Sequence, residues 1–144
     1  MDKENDFFTL KGYQLNEQLE LTTAMEDYLE MICRIMQVNS RVKVSDLSKR
    51  LHVKPSSVTK MLQQLNQAEY IHTEKYGDIT LTEKGQKAGA YLLYRHDVIH
   101  HFLCVLNGSD NELEQVEKIE HFLNPNTVKN LNLLIKRLQR EIMT

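Results

Sequence analysis

The feature that most constrains the fold is a pair of short helix-forming segments separated by a break of three residues. Ser45 is a favourable helix cap, and it predicts a helix over 46–51 that ends at the break, 52–54. Pro55 predicts the start of the next helix, over 55–65, because a proline in the first helical turn loses no hydrogen bond. Two helices joined by so tight a break are typical of a helix-turn-helix motif.

Two strand-like segments follow this pair of helices. They cover 70–74 and 78–81 and flank a turn at Tyr76 and Gly77, which is the pattern of a β-hairpin. A helix-turn-helix followed directly by a hairpin predicts a winged helix-turn-helix, an architecture suited to binding DNA.

A further helix-forming segment lies on each side of this region. Thr23 and Glu26 have the spacing of a capping box and predict the start of a first helix, which ends at 39–40. Thr82 predicts the cap of a long helix that runs to about Leu106.

Two more amphipathic helices complete the chain. Ser109 and Glu112 form another capping box, and a break at 124–125 precedes a final helix over 127–142. The long helix and these two have apolar faces with little else to cover them, which predicts a dimer interface.

The overall prediction is a mainly α fold. An N-terminal winged helix-turn-helix with a small β-hairpin wing is followed by an all-helical dimerisation domain. The predicted boundaries are an extension of unknown role over 1–22, a DNA-binding domain over 23–82 and a helical metal-binding and dimerisation domain over 83–144.

The distribution of charge favours local contact with phosphates. The net charge is −2, but residues 41–75 carry seven basic side chains against three acidic ones, whereas residues 1–30 carry eight acidic side chains against two basic ones. One basic segment in a weakly acidic chain suits contact with a nucleic-acid backbone at one place.

Several classes of protein are disfavoured by the composition. No run of about 18 apolar residues predicts a membrane span, and the acidic N-terminus does not resemble a secretion signal, so we expect a cytoplasmic protein. Cys33 and Cys104 lack CxxC spacing and lie in apolar segments, so they are interpreted as small core residues in a reducing compartment.

The helix that starts at Pro55 carries the predicted DNA-reading face. Hydroxyl, lysine and glutamine side chains near a helix N-terminus can reach base edges in the major groove. The candidates for base contact are Ser56, Ser57, Thr59, Lys60 and Gln63. The candidates for phosphate contact are Arg41, Lys43, Lys54 and Lys75. A solvated polar face would explain the helix alone, but the break, the proline and the basic wing together favour DNA.

Carboxylates and histidines on three predicted helices could bind metal. Asp27 and Glu30 share a face of the first helix at i, i+3. Glu117, Glu120 and His121 share a face of a later helix, and His96 borders the buried side of the long helix. Oxygen and nitrogen donors without sulfur suit Mn²⁺, Fe²⁺ or Zn²⁺ more than a thiophilic ion.

Each of these groups also has an ordinary explanation. Glu30 has the i, i+4 spacing of an ion pair with Arg34, and the other acidic side chains could be solvated surface charges. A different metal site is also open, since His96, His100 and His101 have spacing that could chelate zinc, although no further cluster completes it.

Four segments together resemble the diphtheria-toxin-repressor family, in its short manganese-sensing branch. They are 25–30 (MEDYLE), 55–61 (PSSVTKM), 94–96 (YRH) and 117–121 (EKIEH), within a match over about 22–142. The resemblance implies that the ligands of a two-ion site are Asp27, Glu30, His96, Glu117, Glu120 and His121.

The resemblance also bears on the metal. Iron-sensing relatives have Met at the position of Asp27 and Cys at that of Glu117, so the oxygen donors here favour two Mn²⁺ ions per subunit, with Fe²⁺, Zn²⁺ or Cd²⁺ as other candidates. We expect no SH3-like domain of the kind that the longer relatives have at their C-terminus. The chain departs from close relatives in its 22-residue extension and at Phe122, where they tend to have histidine.

We therefore expect a Mn²⁺-activated repressor that binds a palindromic double-stranded DNA operator as a homodimer and controls metal uptake genes. We expect that the protein is not an enzyme and that it has neither a membrane partner nor a small-molecule substrate. The competing hypotheses are a winged-helix regulator that responds to zinc or an organic ligand, and a metal-dependent hydrolase. The hydrolase is disfavoured because no nucleophile motif or Gly-rich phosphate loop is evident.

Overall fold

A computed structural model describes residues 21–74 and 77–143 of the chain. Most of the N-terminal extension, together with Lys75 and Tyr76, lies outside the described residues. The helices are α1 (Thr23–Val38), α2 (Val44–Leu51), α3 (Pro55–Gln67), α4 (Glu83–Asn107), α5 (Leu113–Ile119) and α6 (Pro125–Met143). The strands are β1 (Ile71–Thr73) and β2 (Ile79–Leu81), and a 3₁₀ turn, Glu120–Phe122, connects α5 to α6.

The helix-turn-helix is formed by α2 and α3, as the sequence predicts. Pro55 is the first residue of α3, and His52 in the break adopts the left-handed conformation, with φ 54°, that ends α2. Val58, Leu62 and Leu65 of α3 are buried on the side that faces α1 and the hairpin.

The predicted caps of three helices are wrong. Thr22, not Thr23, caps α1, and its hydroxyl accepts a 3.1 Å hydrogen bond from the backbone N–H of Met25. The carboxylate of Glu26 is not available for a capping box because it binds Arg95 and His121 instead. Both threonines could cap a helix, so the local pattern does not distinguish them.

The helices α2 and α5 also begin away from the predicted positions. In α2 the helix starts before Ser45, and the carboxylate of Asp46 accepts a 3.2 Å hydrogen bond from the N–H of Lys43. In α5 the cap is Glu112, whose carboxylate accepts a 2.7 Å hydrogen bond from the hydroxyl of Ser109. Ser109, the predicted cap, therefore forms a hydrogen bond with the residue that caps α5 in the structure.

The strands β1 and β2 form an antiparallel hairpin in which Ile71 pairs with Leu81 and Thr73 with Ile79. Thr82 connects this hairpin to α4, because its hydroxyl lies 2.6 Å from the carbonyl oxygen of Glu69 and accepts a 3.0 Å bond from the N–H of Gly85. Thr82 is the cap of α4, as predicted.

The apolar side chains form two cores, and α4 belongs to both of them. The first core contains the buried faces of α1, α2, α3 and the hairpin, together with Leu92 of α4. The second contains Val98, Ile99 and Leu103 of α4 with Val116, Val128 and Ile135 of the helices that follow. The winged helix-turn-helix and the helical half are thus joined by one continuous helix, which confirms the predicted fold class.

The close approach of α4 to α1 positions the side chains discussed below. A Cβ atom on Gly89 would lie 2.1 Å from the Sγ atom of Cys33, so a glycine is needed where these helices cross. Cys33 is buried there, and burial raises the pKa of its thiol to about 11, which suits the predicted role as a small core residue. In the described part of the chain, no helix is long and apolar enough to cross a membrane.

Candidate metal centre

The six side chains singled out as metal donors lie together in two overlapping groups. Within each group, one potential ligand atom from every residue lies within 4.8 Å of the others. The first group contains Glu30, His96, Glu117 and Glu120, and the second contains Asp27, Glu120 and His121. Glu120 belongs to both groups, so the two are contiguous.

Four elements contribute these donors. Asp27 and Glu30 are one helical turn apart on α1, and His96 lies on α4 with its Nδ1 atom 3.5 Å from Oε1 of Glu30. Glu117 lies on α5, whereas Glu120 and His121 lie in the 3₁₀ turn that follows it. The sequence predicts one continuous helix for these last three residues. In the structure the α-helix ends at Ile119 and continues as a 3₁₀ turn.

Glu120 is the most deeply buried donor. Its side chain is fully buried, and its Oε2 atom lies 3.1 Å from Nδ1 of His96. Burial disfavours the charged carboxylate, but the hydrogen bond and the charge of His96 outweigh it, so the pKa of Glu120 is lowered. Among the described residues, Oε1 accepts no hydrogen bond. A buried carboxylate oxygen without a donor is unfavourable unless a cation binds it, so the residues present fit a divalent ion.

The other two carboxylates of the first group have raised pKa values. Burial and the nearby charge of Glu120 raise the pKa of Glu30 to about 7, although an ion pair with Arg34 at 2.9 Å opposes the shift. Burial and the charge of Glu120 also raise the pKa of Glu117, whose side chain is partly exposed. The expected pairing of Glu30 with Arg34 and its place in the donor group therefore coexist.

His121 lies between carboxylates on both sides of its ring. Its Nε2 atom is 2.9 Å from Oδ1 of Asp27, and its Nδ1 atom is 2.8 Å from Oε1 of Glu26. The hydrogen bonds with Asp27 and Glu26 raise the pKa of His121 to about 10.

Glu26 and Arg95 are the residues near the site that sequence reasoning missed. Both are held in an ion pair, with two contacts of 3.3 Å between the Arg95 guanidinium and the two oxygens of Glu26. A signal for Arg95 is present in the sequence, because it falls on the apolar face of α4 defined by Leu92 and Ile99. Glu26 carries no comparable signal, since its position also suits a capping box.

The all-histidine alternative is not supported by the geometry. The Nε2 atom of His100 accepts a 3.2 Å hydrogen bond from the N–H of Glu112, and Nε2 of His101 lies 3.2 Å from Nε2 of Gln139. In the described ranges, neither His100 nor His101 belongs to a group of three or more clustered donors.

The predicted DNA-contacting side chains are accessible wherever the structure describes them. All five candidates on α3, which are Ser56, Ser57, Thr59, Lys60 and Gln63, are exposed opposite its buried face. Arg41, Lys43 and Lys54 are exposed in the segments before α2 and α3. Lys75 lies outside the described residues.

Comparison with known proteins identifies the family of this chain. Residues 20–79 match the family profile described as "Iron dependent repressor, N-terminal DNA binding domain", and residues 82–142 match "Iron dependent repressor, metal binding and dimerisation domain". The chain is 40% identical over 121 residues to the HTH-type transcriptional regulator MntR of Geobacillus kaustophilus (strain HTA426), covering 83% of this chain and 86% of that protein. The chain belongs to the iron-dependent repressor family.

Solved structures of other metal-dependent regulators have the same fold as this chain. ScaR with bound Zn²⁺ has 27% identity and a TM-score of 0.66, covering 78% of this chain and 53% of ScaR. ScaR is also described as a manganese-activated repressor. The metal-dependent transcriptional regulator MtsR shares the fold with a TM-score of 0.73 at 24% identity, over 81% of this chain and 55% of MtsR. The chain thus spans about half the length of these two structures.

These matches confirm three predictions made from the sequence. The resemblance to a metal-dependent repressor family is confirmed, and so is the winged helix-turn-helix followed by a helical half. The chain is a transcriptional regulator and not an enzyme, because its relatives are regulators, so the hydrolase hypothesis is abandoned.

Proposed function

We propose that this chain is a Mn²⁺-activated repressor that binds a palindromic operator as a homodimer and controls metal uptake genes in the cytoplasm. The observation that carries the proposal is the pair of overlapping donor groups built from α1, α4, α5 and the turn after α5. One of these elements belongs to the helix-turn-helix half and another to the helical half. The proposed domain boundaries are 23–82 for DNA binding and 83–144 for metal binding and dimerisation.

The proposed metal ligands are the six clustered side chains. Four of them are carboxylates, namely Asp27, Glu30, Glu117 and Glu120, which repel one another at these separations. Two divalent cations, one in each donor group, would balance four negative charges. Oxygen and nitrogen donors favour Mn²⁺ over thiophilic ions, and the manganese-activated relative ScaR supports this choice.

The positions of Asp27 and Glu30 on α1 provide the link to DNA binding. The helix α1 packs through its buried face into the same core as α2 and α3, so a force applied to α1 is transmitted to the recognition helix. When bound, the ions supply the positive charge that holds α1 against α4 and the turn after α5. This biases the molecule only if one arrangement of its two halves holds the ions more tightly.

The arrangement favoured by metal is proposed to suit two successive major grooves. In a dimer, recognition helices about 34–36 Å apart would meet one face of the DNA. Exposed serine, threonine, lysine and glutamine side chains of α3 would contact base edges. Arg41, Lys43, Lys54 and Lys75 would contact phosphates.

The proposal is tested by selecting binding sites from a random pool of duplex DNA. At fixed salt, the wild-type protein with Mn²⁺ should enrich palindromic sequences, and an excess of chelator should abolish the enrichment. The variant Asp27→Ala should retain fold and dimer but enrich nothing at the same Mn²⁺ concentration. Equal enrichment with Mn²⁺ and with chelator would contradict the proposal.

A further inference from the structure

Glu26, Arg95 and His121 form a hydrogen-bonded relay behind the donor groups. Glu26 lies on α1, Arg95 on α4 and His121 in the 3₁₀ turn, so the relay joins three of the four elements that carry the donors. The side chains are largely removed from solvent, with 17%, 4% and 8% of their respective surfaces exposed. Buried charged groups are rare unless they are paired, and here Glu26 pairs with both Arg95 and His121.

We propose that Glu26, clamped by Arg95, is a positioning residue that aims Nε2 of His121 into the metal-donor cluster. The inference rests on the proposed function, since it takes His121 as a metal ligand. It assigns a role to two residues that contribute no donor atom to either group.

The His121 ring has a carboxylate oxygen against each of its nitrogens. The Nδ1 atom is 2.8 Å from Oε1 of Glu26, and the Nε2 atom is 2.9 Å from Oδ1 of Asp27 and 3.9 Å from Oε1 of Glu120. Each of the two short contacts is a hydrogen bond that needs a proton on its ring nitrogen. A cation bound by Nε2 would replace the proton there, so the proton on Nδ1 would remain and donate to Glu26. A carboxylate on the other ring nitrogen fixes the tautomer and the ring orientation of a metal-bound histidine.

Arg95 prevents Glu26 from turning away. Its two terminal nitrogens contact the two oxygens of Glu26 at 3.3 Å each, which is a fork geometry that holds a carboxylate in one plane. Among the described residues, the Nε atom of Arg95 has no hydrogen-bond partner. One terminal nitrogen of Arg95 also lies 3.3 Å from Nδ1 of His121, so the buried guanidinium lies against both Glu26 and His121.

The first test is a Mn²⁺ titration of the purified full-length chain by calorimetry. Glu26→Met removes the acceptor while keeping the length of the side chain, and Glu26→Gln keeps an acceptor oxygen without the charge. We expect a 10–100-fold loss of Mn²⁺ affinity for Glu26→Met and a smaller loss for Glu26→Gln, as for other partners of metal-bound histidines. The matched control is Glu114→Gln, an exposed carboxylate on α5 that should leave affinity unchanged.

Removing Glu26 alone leaves Arg95 buried and unpaired, which could unfold the protein. The double variant Glu26→Met/Arg95→Met removes both charges and should keep the fold by circular dichroism, yet show the same loss of affinity as Glu26→Met. A folded double variant with wild-type Mn²⁺ affinity would overturn the proposal.

A second measurement uses only the wild-type protein, so it does not depend on any variant folding. In the Zn²⁺-loaded protein, nitrogen-15 NMR of the histidine rings should show His121 with metal on Nε2 and a slowly exchanging proton on Nδ1. Metal on Nδ1, or a freely exchanging ring proton, would refute the positioning role. A wild-type protein that binds no Mn²⁺ or Zn²⁺ would instead refute the proposed function itself.

Discussion

At the scale of single residues, Glu120 is the side chain that both donor groups share. It is fully buried, and one of its oxygens has no hydrogen-bond partner in the part of the chain that the structure describes. Glu120→Gln keeps the size of the side chain but removes the charge, so we expect a loss of Mn²⁺ affinity of at least about 10-fold at both sites. Calorimetric titration measures this, with the exposed Glu114→Gln as the control. An unchanged affinity would exclude Glu120 as a shared ligand.

Lys60 is the residue whose change should separate DNA binding from metal binding. It is exposed on α3 opposite the buried Val58 and Leu62. We expect Lys60→Ala to weaken operator binding by about 1–3 kcal/mol, as for a side chain that reads a base, and to leave Mn²⁺ affinity of the free protein unchanged. Fluorescence anisotropy at fixed salt measures the first and calorimetry the second. Lys136→Ala, an exposed lysine on α6, is the control; an equal loss in both variants would contradict a specific role for Lys60.

At the scale of elements, Gly85 connects α4 to the hairpin. A Cβ atom here would lie 1.9 Å from the carbonyl oxygen of Tyr70, which is backbone and cannot turn aside. We expect Gly85→Ala to lower the free energy of unfolding by about 1–3 kcal/mol despite the better helix propensity of alanine. Urea denaturation measures this, and Gln86→Ala, at the next and exposed position, should be nearly neutral. A neutral Gly85→Ala would show that the hairpin can move away from α4.

The elements also show how far the sequence determines the fold. Pro55 is the first residue of α3 and Thr82 is the cap of α4, as predicted, because a proline suits the first helical turn and the Thr82 hydroxyl accepts from the N–H of Gly85. The cap of α1 is assigned to the wrong threonine because Thr22 and Thr23 are equally good caps, and Glu26 contacts Arg95 and His121 and does not complete a capping box. Local patterns of this kind resolve the existence of a helix better than its first residue.

The set of metal-donor residues is predicted from the family resemblance and not from local patterns alone. Periodicity puts Asp27 and Glu30 on one face of α1, but the close approach of α1 to α4 at Cys33 and Gly89 is a tertiary contact that no local pattern contains. The family resemblance supplied what periodicity could not. It did not supply Glu26 or Arg95, whose roles arise from a contact between residues 69 positions apart.

At the scale of the whole molecule, the helical half leaves apolar side chains uncovered. Leu106 at the end of α4 and Leu113 at the start of α5 are both exposed, although the second core lies beside them. We expect the double variant Leu106→Glu/Leu113→Glu to shift the proposed dimer toward monomer, because charges are unfavourable in the core of an interface. Light scattering after size exclusion measures the mass.

A matched variant tests whether this effect is specific to the helical half. Val38→Glu places the same charge on an exposed apolar position at the end of α1, in the DNA-binding half, and should leave the dimer intact. A double variant that remains dimeric would place the interface elsewhere.

The most direct test of the account is an anomalous difference map from crystals grown with Mn²⁺ and recorded at the manganese absorption edge. The account predicts two peaks per subunit, one in each donor group, within bonding distance of Asp27, Glu30, His96, Glu117, Glu120 and His121. Peaks at His100 and His101, or none between α1 and the turn after α5, would contradict it.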